Sequence, residues 1–307
     1  MIADMKTLLS FLLLTTALRA ELTTEQQQVP LEAAADVSKP KVVLIAGSVS
    51  NKPGQHEYFA GCALLMDWLK AFGAVSPVMV AEGWPKNEAV LDGASSVVFF
   101  LDGGAKLPFL DAVRWARMQA LEKAGTGFVV LHQGIDCPAD KAADLKKWFG
   151  AVFQPDIGCR GHWDVKFDSV AAHDVTRGMT PFELLKDGWL YNLHFAEKGV
   201  TPLLQAQMPD NSRKTAHAKA NAGRLETVAW AFERENGGRS VGFTGCDLHA
   251  NWAEANQRRL LLNAIVWSAK GDVPKNGIGS ETTPEALKRN WDRKVFLPKK
   301  AKEKAKP

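Results

Sequence analysis

The sequence predicts an α/β fold: one doubly wound, mostly parallel sheet with helices on both faces and an inserted β-rich extension. Three observations carry the prediction. Short, uninterrupted apolar runs (VVLIAG at 42–47, SVVFFL at 96–101, FVVL at 128–131) alternate with longer stretches whose apolar residues recur at helical spacing. Strands without polar alternation are those covered on both faces, as in parallel sheets flanked by helices. Each run also stops at a glycine or a polar loop, at the edge where such sheets bind their ligands.

Lys41 to Gly47 reads as the first strand. Tyr58 to Phe72 is the first helix, with Phe59, Cys62, Leu65, Met66, Leu69 and Phe72 at helical spacing. Val78 to Ala81 and Ser96 to Leu101 follow as strands, the second ending at Asp102-Gly103-Gly104. Pro108 to Lys123 is helix, Phe128 to Leu131 strand and Ala139 to Phe149 helix. From Ala151 to Phe232 the pattern changes to short strands: Trp163 to Phe167, Val200 to Leu204 and Thr227 to Phe232. This region is expected to decorate the sheet without forming a second domain. Within it, Met208 to Gly223 is polar and aperiodic, the mark of a mobile surface loop. Ser240 to Thr244 is the last strand. The helix Glu254 to Lys270 then returns Leu260, Leu261, Ile265, Val266 and Trp267 to the sheet.

A chain of 307 residues with 46% hydrophobic content can bury one large core. Met1 to Ala20 reads as a secretory signal: Lys6, an apolar run from Leu8 to Leu14, then small residues, with Met5 an equally good start. The run is too short to span a bilayer. The mature chain is therefore expected to begin near Glu21, periplasmic or secreted, with a linker over 21–40 and an α/β domain over 41–277. The net charge is +4, but residues 271–307 alone hold ten Lys/Arg against five acids. The body is thus close to neutral and offers no nucleic-acid surface. The basic end, 278–307, reads as a solvated, disordered tail. Four cysteines are too few for a disulfide scaffold and show no C-x-x-C zinc spacing. Cys62 falls on the core face of its helix; Cys137 and Cys159 are either one disulfide or two buried thiols.

Chemistry-bearing residues gather at strand ends. His56 and Glu57 lie in the loop after the first strand, His132 follows Leu131 directly, and Asp247, His249, Asn251 and Trp252 come just past Thr244. Three imidazoles from three strand ends would suit a divalent metal ion, zinc foremost, with a position open to water or a substrate oxygen. His56, His132 and His249 are the expected ligands. Glu57 is a ligand, a base, or an acid set against the next helix's N-terminus. With His132 and His162 it makes the catalytic set. Asp102, Asp187 and Asp247 are expected to orient imidazoles or grip hydroxyls. Trp163, Trp189 and Trp252 offer flat faces to a sugar ring, or serve the core. Asn251 completes the substrate-binding set. His173 reads as a turn residue, and His194 and His217 follow no strand end.

Several of these stretches stand together in a known order: GQHEYFAG (54–61), LDGGAKLP (101–108), FVVLHQGID (128–136), GHWDVKF (161–167), HDVTRGMTPF (173–182), DGWLYN (187–192) and GRSVGFTGCDLHANW (238–252) with RRLLLNAIVW (258–267). In this they resemble the ThuA-like, trehalose-utilisation family, a branch of the class I glutamine amidotransferase-like flavodoxin fold, over about Lys41 to Gly277. The resemblance implies a flavodoxin-like sheet and a part in trehalose or related disaccharide catabolism. It also implies what is missing. Amidotransferases place a nucleophilic cysteine at the sharp turn where this chain has Leu131-His132-Gln133, and an imidazole supplies no thiolate. Gly188 and His194 stand where relatives are expected to carry a carboxylate and an arginine.

Two functional classes follow. The first is an exported, metal-dependent enzyme acting on a glycoside or a 3-keto sugar by isomerisation, elimination or hydrolysis, with Glu57 or a histidine moving the proton. The second is a non-catalytic carbohydrate-binding or scaffold protein with a tryptophan-lined groove. Both take a small carbohydrate as partner, and neither calls for nucleic acid or an integral membrane segment. Homo-oligomerisation is left open.

Overall fold

The computed structural model describes residues 21–294. The stretch read as a signal, and positions 295–307 of the basic tail, lie outside the described residues. In chain order the elements are β1 (Lys41–Ala46), α1 (Tyr58–Phe72), β2 (Ser76–Val80), β3 (Ser96–Phe100), α2 (Ala112–Lys123), β4 (Gly127–Leu131) and α3 (Ala142–Phe149). Next come β5 (Ala151–Val152), β6 (Cys159–Phe167), β7 (Phe182–Tyr191), β8 (His194–Phe195), β9 (Val200–Gln207), α4 (Ala216–Ala220) and β10 (Leu225–Glu233). The chain closes with β11 (Arg239–Phe243), α5 (Ala255–Ser268) and α6 (Pro284–Lys288).

Alternation within the apolar runs sets the layers. In β1, Val42, Leu44 and Ala46 enter one core while Val43 and Ile45 enter the other. β4 divides likewise, Val129 and Leu131 against Phe128 and Val130. Helices α1 and α5 fill the first core; α2 and α3 fill the second. The result is the doubly wound, flavodoxin-like architecture.

The sheet has the order β2-β1-β3-β4-β11-β10-β9. Its first five strands run parallel, and β10 is antiparallel to both β11 and β9. Winding reverses between β1 and β3, so the loops leaving β1, β3, β4 and β11 crowd one edge, where ligands of such folds bind. Gly103 lets two of these loops touch: a Cβ there would lie 2.0 Å from the Gln133 carbonyl oxygen.

Four expectations are corrected. The strands at 200–207 and 225–233 do not decorate the sheet; they complete it, because β10 pairs along β11 from Ala229 to Glu233. Among the described strands, only the β6–β7 ribbon and the β5–β8 pair stand apart. The polar stretch 208–223 is not a loose loop. The side chain of Arg213 is fully buried and bonds Glu226 Oε1 at 2.6 Å, with Met208 and Ala218 packed beneath. The tail, finally, is docked through Lys294. Ile278 is buried, Arg258 donates to the Ser280 carbonyl, and Trp68 donates to the Glu281 carbonyl. Helix α2 also begins at Ala112, since Asp111 caps it by accepting from the Val113 and Arg114 amides. Cys137 and Cys159 are free, buried thiols.

Candidate functional site

Three loops at the crowded edge bring His56, His132 and Asp247 together. Each loop is bent by a non-glycine residue in the left-handed region: His56 at φ +50°, His132 at +53° and Cys246 at +77°. Such conformations persist where the surroundings enforce them, and they concentrate at functional sites. The β1 and β11 loops also brace each other. The His56 amide donates to the Asp247 carbonyl at 3.0 Å, and the His249 amide donates to the Gly54 carbonyl at 2.9 Å.

The ring nitrogens are assigned by their partners. His132 Nδ1 donates to the Thr244 carbonyl at 3.0 Å. His56 Nδ1 donates to Asp102 Oδ1 at 2.9 Å, an oxygen that also accepts from Ser50 and Tyr58. Both Nε2 atoms are therefore left with lone pairs, and they face each other at 3.1 Å. Asp247 Oδ1 lies 3.0 Å from His56 Nε2 and 3.6 Å from His132 Nε2, buried and without a hydrogen bond. Its other oxygen is taken, accepting from Gln55 Nε2 at 2.8 Å and from His162 Nε2 at 2.7 Å.

Three acceptor atoms converging on one buried point call for a positive charge between them, either a metal ion or a proton carried by His56. Burial disfavours charge on His56, yet the Asp102 and Asp247 carboxylates prevail and raise its pKa. Burial, and then the neighbouring His56, push His132 down to about 4, so it stays neutral and free to ligate. Burial would raise Asp247, but His56 beside its Oδ1, and the other nearby histidines, hold it down at about 2. Asp102 is likewise held below the usual carboxylate range: His56, Lys106 and Tyr58 overcome its burial. Two imidazoles and a carboxylate, each imidazole fixed from behind by an acceptor, fit a divalent first-row ion.

Above this point opens a cleft of about 230 Å³, lined by Asn51, Gln133, Arg160 and His162. The side chain of His162 is 53% exposed. Arg160 is held at the rim by Asp136 Oδ2 at 2.8 Å. Gly188 forms the wall beneath Asp247: a Cβ there would lie 2.7 Å from Asp247 Cβ and 2.8 Å from its Cγ. The missing side chain leaves room for the carboxylate.

Of the residues expected from sequence, His56, His132, His162, Asp102 and Asp247 come together. His249 does not. Its ring stacks on Trp252, meets Trp291 edge-on, and presents Nε2 to the Leu287 carbonyl at 2.8 Å. Burial pushes its pKa down to about 4. Asp247 takes the third place in the converging set, two residues nearer the strand. Glu57 is also turned away. It is fully buried, accepts from the Gly54 and Asp292 amides, and pairs with Lys294.

Asp187 accepts from the Gly188, Cys246 and Leu248 amides and so fixes the loop around Asp247, out of reach of a ligand. Asn251 bonds both the amide and the carbonyl of Leu185. Trp252 is fully buried against Phe100 and Trp68. Trp189 borders the cleft, but its ring packs on Phe167 and Phe243. Trp163 donates to Met208 Sδ and meets Tyr191 edge-on. His173 caps a turn by accepting from the Val175 amide. Cys137 is no substitute nucleophile: burial raises its thiol to about 12.

Sequence reasoning missed Ser50, Gln55, Tyr58, Gln133 and Arg160. Gln55 and Gln133 adjoin the two histidines in sequence, and that adjacency was the available signal.

The comparisons agree with this architecture. Among solved structures, a protein described as ThuA-like from Parabacteroides merdae aligns at TM-score 0.55 and 14% identity, over 82% of this chain and 100% of that one. Another described as ThuA-like, from Bacteroides uniformis, aligns at 0.56 and 14%, over 78% and 97%. These show the shared fold. No protein with a curated description matches the sequence. The family model described as ThuA, trehalose utilisation, matches residues 43–268, a span that includes every converging side chain above, and the chain belongs to that family.

Proposed function

We propose that the chain is an exported, metal-dependent enzyme of carbohydrate catabolism. In this reading His56, His132 and Asp247 hold a divalent ion, zinc foremost, and the cleft receives a glycoside or a 3-keto sugar. The observation that carries it is the set of three converging lone pairs, with both Nδ1 atoms committed elsewhere. Membership of the trehalose-utilisation family supports the carbohydrate. The N-terminal signal pattern supports export; in addition, no helix among the described residues is long and apolar enough to cross a membrane.

An ion held there supplies Lewis acidity, polarising a carbonyl and making a hydroxyl or water more acidic. The chain does the rest. His162, tied through Nε2 to Asp247 Oδ2, offers its other ring nitrogen to a substrate proton as general acid and base. Gln55 keeps Asp247 Oδ2 occupied and Oδ1 free. Asn51, Gln133 and Arg160 orient hydroxyls in a space of single-ring size. This division serves isomerisation, elimination or hydrolysis. Asp102 and Asp187 hold groups in place and do not touch the substrate. Core neighbours take the faces of Trp189 and Trp252, which favours the enzyme over the binding module.

The test is metal analysis of the purified full chain, joined to a screen of disaccharides and their 3-keto derivatives. A stoichiometric ion, with turnover lost to a chelator and restored by zinc, is the expected result. A protein that takes up no zinc, or turns over regardless of chelator, overturns the reading.

A further inference from the structure

Outside the span that the family model matches, residues 278–294 cross behind the site and are stitched down along their length. Leu287 accepts from His249, Gln26 donates to the Asn290 carbonyl and to Asp292 Oδ1, and the Asn290 amide donates to Glu25. At the end of this strap Lys294 turns inward until its side chain is 2% exposed. The ammonium pairs with Glu57 Oε1 at 3.1 Å. It also donates to the His56 carbonyl at 3.0 Å and to the Gln55 carbonyl. A lysine is rarely buried this far without a purpose for its charge.

What it grips is the bend that aims His56. The residue sits at φ +50°, a conformation that a side chain with a Cβ adopts only under constraint. Asp247 holds the amide of His56 from one side, and Lys294 holds its carbonyl from the other. Glu57 neutralises the ammonium that does so. Neither Lys294 nor Glu57 lines the cleft.

We propose that Lys294 is a positioning residue, acting through the His56 peptide. The C-terminal strap latches the β1 loop, so that affinity for the ion depends on a segment far from it in sequence. The proposal rests on the reading that His56, His132 and Asp247 hold an ion.

The experiment uses the full chain as Lys294→Met, Lys294→Arg and the double variant Glu57→Gln/Lys294→Met. Zinc affinity is measured by chelator competition, and exchange of the His56 amide by hydrogen–deuterium exchange. Loss of a partner behind a ligand weakens metal binding by about 10–100-fold. Lys294→Met and the double variant should both show that loss and faster exchange at His56, while Lys294→Arg recovers most of both. The double variant removes the closer of the two acids paired with Lys294, the other being Asp292 at 3.8 Å, so a lysine that serves only to neutralise Glu57 would be replaced without effect on zinc. Wild-type zinc affinity and unchanged exchange in the double variant overturn the latch. If the wild type takes up no zinc, the metal reading fails and the dependence of ion affinity on Lys294 fails with it. The exchange arm then separately reports whether the strap holds the loop.

Discussion

The loops after β4 and β11 carry similar side chains to different ends. Each leaves a parallel strand at the same edge, each contains a buried histidine, and burial holds both imidazoles down at about 4. His132 follows its strand at once, bends at φ +53°, and meets the cleft with Nε2 free. In the β11 loop the bend falls on Cys246, so Asp247 points inward, and His249 lies against Trp252, Trp291 and the strap. A strand end places a residue near the site; the position of the left-handed bend decides which side chain enters it.

The strongest challenge to that comparison is to remove one residue from each loop. His132→Ala and Asp247→Ala should each weaken zinc binding by more than the ~100-fold typical of losing an outer partner. His249→Ala should leave zinc content unchanged. Equal losses from His132→Ala and His249→Ala would mean that both rings ligate, and the contrast would collapse. A subtler intervention is Gly188→Ala, which puts a methyl group against the Asp247 carboxylate. Zinc affinity should fall by about 10-fold or more, alongside about 1–3 kcal/mol of overpacking measured by denaturant unfolding. Unchanged zinc affinity would show that the carboxylate does not need its present seat.

His249→Ala has its own stability signature. Losing the Leu287 bond and the aromatic packing should cost about 1–3 kcal/mol in unfolding. A neutral result would show that the strap does not depend on this ring. The last effect is on pH. Burial raises Asp187 from 3.8 to about 6, despite the three amides it accepts from. A carboxyl with a raised folded pKa binds its proton more tightly when folded, so its contribution to stability falls as pH rises from about 4 to about 6 and is flat above. Unfolding midpoints across that window should show the slope, reduced in Asp187→Asn. An unaltered slope in the variant would assign the effect elsewhere.

Much of this was legible in the sequence because burial on both faces of a strand leaves a local record. The apolar runs located β1, β3, β4 and β11, and helical spacing placed α1 at the bounds it has. Strand-end position was enough to bring His56 and His132 to one point, since the winding order of such a sheet carries those ends to one edge. Tertiary structure alone decided the rest. Glu57 reads as a ligand or catalytic base beside His56 until Lys294, more than two hundred residues on, claims it. The stretch 278–294 reads as the start of a solvated basic tail until Glu57, Gln26 and Glu25 give its residues partners. His249 and Asp247 differ by two positions in one loop, and the φ of Cys246 and the strap behind it separate the side chain at the converging point from the one in the packing. Periodicity reports which residues leave water. The direction of a side chain past a bend, and the partner that compensates a buried charge, are set by segments distant in the chain, and no local pattern records them.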